Sequence, residues 1–226
     1  MVIGVVEMML LSPTDTVATR LAIRRFPQYV GWLITPRIRK RRTSMREIKG
    51  WWAMDNDCFN AQNFDPRKFI AALRRNADIR DRCLFVTAPD VVGDARATLR
   101  RFCHWESSIH GLGYPVALAA QDGLENLPVP WDSFEALFIG GSTGWKLSSA
   151  AVGLIREARR RGKWVYVGRV NSRQRVLFCH HVGADSIDGT HFAIEPDAAL
   201  GWVLPLLRSL DKQMGLPMSE LARGLR

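Results

Sequence analysis

The feature that most constrains this chain is a recurrence of short, wholly apolar runs separated by longer amphipathic stretches. The runs are Ile3–Val6, Tyr29–Ile34, Trp51–Met54, Cys83–Ala88, Pro115–Ala120, Ala136–Ile139, Trp164–Val167 and Asp185–Ile187. A strand with one solvated face alternates apolar and polar residues. These runs mostly do not, so they read as strands covered on both faces. Between them lie helical patterns. Asp65-Pro66 supplies an N-cap and a first-turn proline to a helix running towards Asn76. Further helices are expected from Asp94 to Ile109, Ser148 to Arg161, Ser172 to Val182 and Asp197 to Leu210, with Gly111 and Gly162 as stop signals.

Strand–helix alternation argues for a parallel sheet, and about eight strands is the number that closes a barrel. The expected fold is α/β, a single (β/α)8 TIM-type barrel over residues 1–226, trimmed in its loops. An open doubly wound sheet is the alternative, because Ile3–Val6 and Trp51–Met54 are weakly defined. The length of 226 residues suits one substantial core, and no linker or change of composition divides it.

Lys and Arg number 32 against 22 Asp and Glu, a formal charge of +10. Such an excess suits a polyanionic partner, because each phosphate neutralised by a cation releases counterions. Cys58, Cys83, Cys103 and Cys179 contain no C-x-x-C pair and read as reduced thiols. The apolar start from Val2 to Leu11 lacks a basic leader and contains Glu7. No run approaches the ~20 apolar residues of a membrane span. A cytoplasmic protein is expected, without membrane association.

In parallel α/β folds chemistry gathers at the carboxyl ends of strands. The residues there are Thr35; Asp55, Asn56 and Asp57; Asp90; Gln121 and Asp122; Gly140 and Gly141; Arg169 and Asn171; and Asp188. Carboxylates accept hydrogen bonds, while amides and glycine N–H groups donate them. Spare aspartates supply a nucleophile and an acid/base. Phe138 to Lys146 contains glycines and a lysine, but not at phosphate-loop spacing, and dinucleotide, nucleophile-elbow and zinc-protease motifs are missing.

In order, these segments resemble the guanine transglycosylases, whose members insert queuine or its precursors into tRNA or 7-deazaguanines into DNA. Met54 to Asn60 is similar to the family's D-S-G-G-F-Q segment, and Ala88-Pro89-Asp90 to the strand end with its base-reading aspartate. Val116 to Gly123 resembles V-Q-G-G, Phe138 to Gly141 the glycine pair, and Tyr166 to Val170 the M-G-V-G strand. Gly183 to Asp188 resembles the segment that carries the nucleophile. The match spans roughly Trp51 to Thr190, and the wording of Ala88 to Asp94 is closer to the DNA branch. Two departures stand out. Asn56-Asp57-Cys58 replaces Ser-Gly-Gly, and the zinc-binding cysteines after the nucleophile are missing, so neither metal nor cofactor is expected.

The resemblance implies a DNA-guanine transglycosylase, a glycosyltransferase that exchanges guanine for a 7-deazaguanine such as the 7-cyano form. The base is exchanged by double displacement, as in retaining glycosidases. Asp188 would be the nucleophile and Asp55 the acid/base, with Asp57 a rival for the latter role. Asp185, an odd number of residues from Asp188, would face away and be structural. Asp90 would read the guanine edge, and Gln121 with Gly140, Gly141, Asn56 and Gly168 would complete the pocket. Arg37, Arg39, Lys40, Arg41, Arg42 and Arg169 would hold phosphates, and Trp145 would stack or pack. The expected partners are DNA, a free 7-deazaguanine base and an accessory DNA-opening protein. The host cytoplasm would be the location if the chain is phage-encoded. A tRNA-directed member and a non-catalytic nucleic-acid-binding barrel are the alternatives.

Overall fold

The computed structural model describes residues 8–38, 42–59 and 64–214, with the backbone alone at 212–214. Eight parallel strands close into a barrel in sequence order. They are β1 (Met9–Ser12), β2 (Val30–Ile34), β3 (Trp52–Met54), β4 (Cys83–Thr87), β5 (Val116–Ala120), β6 (Ala136–Ile139), β7 (Trp164–Val167) and β8 (Ser186–Ile187). Closure comes from β1, which pairs Leu10 with Val30 of β2 on one side and Met9 with Ser186 of β8 on the other. The doubly wound alternative is thereby excluded.

The first strand is displaced from its expected place. Ile3–Val6 lies outside the described residues, and the barrel takes up Met9–Ser12 instead, every residue of which is buried. The apolar start runs on through Leu11, so apolarity alone does not decide which segment pairs.

The helices are α1 (Val17–Arg25), α2 (Thr43–Ile48), α3 (Pro66–Arg75), α4 (Ala95–Gly111), α5 (Thr143–Lys146), α6 (Ser149–Arg160), α7 (Arg173–Val182), α8 (His191–Ile194) and α9 (Pro196–Met214). Asp65, Asp94, Ser148 and Ser172 each accept a backbone N–H of the helix they open, which satisfies donors a helix start leaves unpaired. Between β5 and β6 the chain makes two 3-10 turns, Leu124–Asn126 and Trp131–Ser133, in place of an α-helix. Among the described residues no helix is long and apolar enough to cross a membrane.

Side chains of a strand alternate between lumen and helix layer. Met9, Leu11, Leu33, Ala53, Phe85, Ala117, Ala136 and Tyr166 form the lumen cluster, with Phe138 packed on it. Leu10, Val30, Trp32, Met54, Val86, Leu137, Val165 and Ile187 belong to the larger outer core beneath the helices. This double burial is why the strands show no polar face. In the lumen the Tyr166 ring stacks on Phe138 at 4.6 Å and lies 5.1 Å from Phe85, so aromatic rings fill the middle of the barrel.

The β3–β4 register shifts between Trp52 and Met54: two steps on β3 span three on β4, from Cys83 to Val86. Leu84 and Phe85 both pack on the lumen cluster as a result. Bulges commonly re-aim side chains next to functional sites, and the residue after Met54 is Asp55.

Candidate active site at the barrel mouth

The alternation places Asp55, two residues beyond Ala53, in the lumen at the carboxyl end of β3. Asp188, two residues beyond Ser186, takes the same position at the end of β8. Both are sunk in the mouth with limited exposure. Burial pushes the Asp55 carboxyl up to about 7, and the charges of Asp188 and then Asp90 push in the same direction. A like charge nearby is the classic means of making one acid of a pair hold its proton. Asp188 is also raised by burial, but hydrogen bonds to its carboxylate oppose the rise. Its Oδ1 accepts the Arg169 N–H at 2.7 Å, and the Tyr166 hydroxyl donates to it as well. Burial holds the Tyr166 phenol protonated, well above its ordinary range.

Arg169 can aim its N–H this way because its backbone is left-handed, with φ of 60°, a conformation uncommon for a side chain of this size. Its guanidinium lies over the Phe59 ring at 4.8 Å. Phe59 follows β3 and Arg169 follows β7, strands on opposite sides of the barrel, so this contact crosses above the mouth. Gly168 allows the close packing beneath: a Cβ there would stand 2.7 Å from Phe138 Cε2 and 3.4 Å from Asp188 Oδ1.

The residues expected to read a base form a closed network instead. Asp90 Oδ2 accepts Gln121 Nε2 at 2.6 Å, and Oδ1 accepts Asn56 Nδ2 at 3.0 Å. Gln121 Oε1 accepts the N–H groups of Gly93 and Gly141, each at 3.0 Å. Asn56 also donates to Ala88 O and accepts the Cys58 N–H. The Gly140 N–H is taken by Ala120 O, and a Cβ at Gly140 would lie 2.8 Å from Gln121 Nε2. The structure thus brings Asp90, Gln121, Asn56, Gly140 and Gly141 together at one side of the mouth. Their polar groups bond to one another and to neighbouring backbone, Gly140 leaves room for the Gln121 amide, and a Cβ at Gly141 would meet Asp122 Oδ2 at 2.5 Å and Trp145 Cε3 at 2.8 Å.

Asp57 is not a second lumen acid. The strand ends at Met54, Asp57 has φ of 62°, and its carboxylate forms an ion pair with Arg37. Asp185 faces the outer layer, where Arg159 Nη1 and the Val165 N–H bind it at 2.7 Å each. Of the basic run, Arg39, Lys40 and Arg41 lie outside the described residues. Arg37 pairs with Asp57, and Arg42 donates through Nη2 to Pro13 O at 3.0 Å, while its buried Nη1 has no partner among the described residues. Trp145 donates to Glu125 at 3.0 Å and leans on Gly141, packing rather than standing free.

Three site residues escape the sequence reading. Tyr166 looks like any apolar strand residue in a Trp-Val-Tyr-Val run. Thr87 continues the lumen alternation of β4; it is fully buried and its hydroxyl has no partner among the described residues. Lys146, at the end of the four-residue α5, is buried and donates to Gly168 O at 2.8 Å. Burial, then Arg169, lowers its ammonium to about 8. Only the lysine carried a signal, as a cation close behind a strand-end glycine pair. Among the described residues no group of three or more His, Cys, Asp or Glu side chains is placed to hold a metal ion.

No protein-family model matches the chain, and no curated protein matches it. Solved structures do. Two are of a single-substitution mutant of mandelate oxidase, one with a C4a-OH-FMN adduct and one with a monooxide FMN adduct. They are 15% and 17% identical, each with a TM-score of 0.59, covering 92% of this chain and 74% of theirs. The expectation of a DNA-guanine transglycosylase is corrected by these findings, since the structures matched are oxidases. At such identity the likeness shows the fold: this chain is a (β/α)8 barrel.

Proposed function

We propose that this protein is an enzyme that performs general acid–base chemistry with Asp55 and Asp188 on a small polar molecule held in the barrel mouth. The observation that carries the reading is the pair itself: two lumen-facing carboxylates on β3 and β8, coupled by charge and held unequally. Asp188 receives the Arg169 N–H and the Tyr166 hydroxyl, so it bears the negative charge. Asp55, beside that charge, keeps its proton to about pH 7. A group titrating near the working pH is the most effective proton carrier. Asp55 delivers and recovers the proton, and Asp188 stabilises positive charge that develops on the bound molecule.

FMN, which the oxidase structures carry, does not fit these residues. A reduced flavin is anionic, and Asp188, which bears the negative charge at the centre of the mouth, would stand against it. The turn at Gly189 is also packed by its own chain, since a Cβ there would lie 2.5 Å from Asn171 Oδ1 and 2.6 Å from Val170 O.

The test is a screen of small metabolites in D2O, read by proton NMR for product or deuterium uptake. Wild type and Asp185→Asn should turn over a common substrate, and Asp55→Asn should be slower by roughly a hundredfold or more. Equal rates for Asp55→Asn and wild type would sink the proposal.

A further inference from the structure

Beside the acid pair, between α5, the segment after β7 and α7, three cations converge. Lys146, Arg169 and Arg175 line one cavity of about 20 Å³ together with Thr143, Gly168 and Cys179. That volume holds about one water, but Arg169 is exposed and Arg175 half-exposed at its edge. The opposing charge is sparse. Asp188 is the carboxylate that acts most on Lys146, with Asp122 also within its reach, whereas Arg169 and Arg175 both repel it. Asp188 is itself engaged by the Arg169 N–H and Tyr166, and Lys146 spends its bond on a carbonyl, Gly168 O.

The two guanidinium groups are uncommitted. Arg169 lies over the Phe59 ring and acts on Asp188 through its charge without a close ion pair, and Arg175 has no ion pair or side-chain hydrogen bond among the described residues. Arg175 also lies in the first turn of α7, at the positive end of the helix dipole.

We infer that Lys146, Arg169 and Arg175 form a subsite for a compact oxyanion, a phosphate or carboxylate group borne by the small molecule on which the acid pair acts. This rests on the acid–base reading of the mouth for its purpose, though not for its geometry. An anion here supplies the missing counter-charge and accepts charge-assisted hydrogen bonds from both forks. It also tethers a substrate at the β7 side while its reacting atoms reach the two aspartates.

The probe is inorganic phosphate, titrated calorimetrically into the full chain at low ionic strength, with chloride as the reference salt. Wild type and Arg156→Gln, which removes an exposed arginine of α6, should bind one phosphate with equal affinity. Arg175→Gln should weaken binding by roughly tenfold or more. No phosphate binding to wild type, or equal weakening by both variants, would overturn the subsite. So would binding of a short single-stranded oligodeoxynucleotide that phosphate fails to displace, since the cations would then serve a polymer elsewhere on the surface. Phosphate binding that survives in Asp55→Asn, a variant made to test the acid pair, keeps the two proposals separable. The subsite stands or falls by Arg175, the acid pair by the D2O screen.

Discussion

The two sides of the barrel mouth handle polar groups in opposite ways. On the β4–β6 side, Asp90, Gln121, Asn56 and the Gly93 and Gly141 N–H groups pair completely with one another. On the β7–β8 side, Asp188 sits with a phenol and a strained backbone N–H, and the arginines beside it lack acid partners. A saturated buried network fixes geometry and has nothing left with which to bind. An unsaturated one retains capacity for a ligand. Residues of the same types at equivalent strand ends thus divide into scaffold and chemistry according to whether their bonds are already spent.

The contrast is broken most forcefully on the saturated side. Asp90→Ala should destabilise the fold by about 3 kcal/mol, since it strands the amides of Asn56 and Gln121 in a buried setting. Urea denaturation reads this, and a change below about 1 kcal/mol would show the network to be looser than drawn. The Asp55 titration near pH 7 should persist in Gln121→Ala, which disturbs the scaffold alone.

A comparable effect, dependent on pH, is expected at Asp55. Folded Asp55 holds its proton to about pH 7, whereas an unfolded aspartate loses it near ~3.9. The folded state therefore binds the extra proton between those values, and its stability falls as pH rises through them. Asp55→Asn should remove that loss, leaving the variant more stable than wild type at pH 8 by about 3 kcal/mol and nearly equal at pH 4. Identical denaturation midpoints at pH 8 would place Asp55 in an ordinary environment.

Smaller effects sharpen the comparison on the open side. Tyr166→Phe removes one donor from Asp188 and should cost about 1 kcal/mol. It should also let Asp188 protonate more readily and so lower the Asp55 titration, which carboxyl carbon-13 NMR can follow. Unchanged Asp55 behaviour would mean that the phenol only packs. Phe59→Ala deletes the contact across the mouth and should alter stability by no more than about 0.5 kcal/mol. Amide exchange at Arg169 should quicken if that contact holds the segment after β7 in place.

Much of the barrel is legible in the sequence because double burial leaves a mark that periodicity exposes. Seven of the eight expected strands fall within a residue or two of their places, and Asp65, Asp94, Ser148 and Ser172 cap the helices they announce. The first strand is the exception. Val2 to Leu11 is apolar apart from Glu7, and pairing with β2 and β8 selects Met9–Ser12. Helix α1 is missed because Thr16 precedes a stretch with three arginines and no clean stripe.

The site is legible by position but less so by role. Strand ends locate Asp55 and Asp188, and parity separates Asp185 from them. Parity does not reveal whether a carboxylate is free, and Asp90 looks from sequence as available as Asp188. Tyr166 and Thr87 are invisible because each is simply one more residue of a buried run. Resemblance of short strand-end motifs also misled. Glycine pairs and aspartates recur at the ends of barrel strands for packing reasons, as Gly140 does for Gln121, whatever chemistry the barrel carries.

The aromatic filling of the lumen fixes the traffic through this molecule. Phe85, Tyr166 and Phe138 pack across the middle of the lumen, so among the described residues these rings stand between the mouth and the amino-terminal face of the barrel. Whatever enters at the mouth leaves by the same door. A product must vacate the aspartates before the next molecule arrives, so product and substrate should compete for one form of the protein.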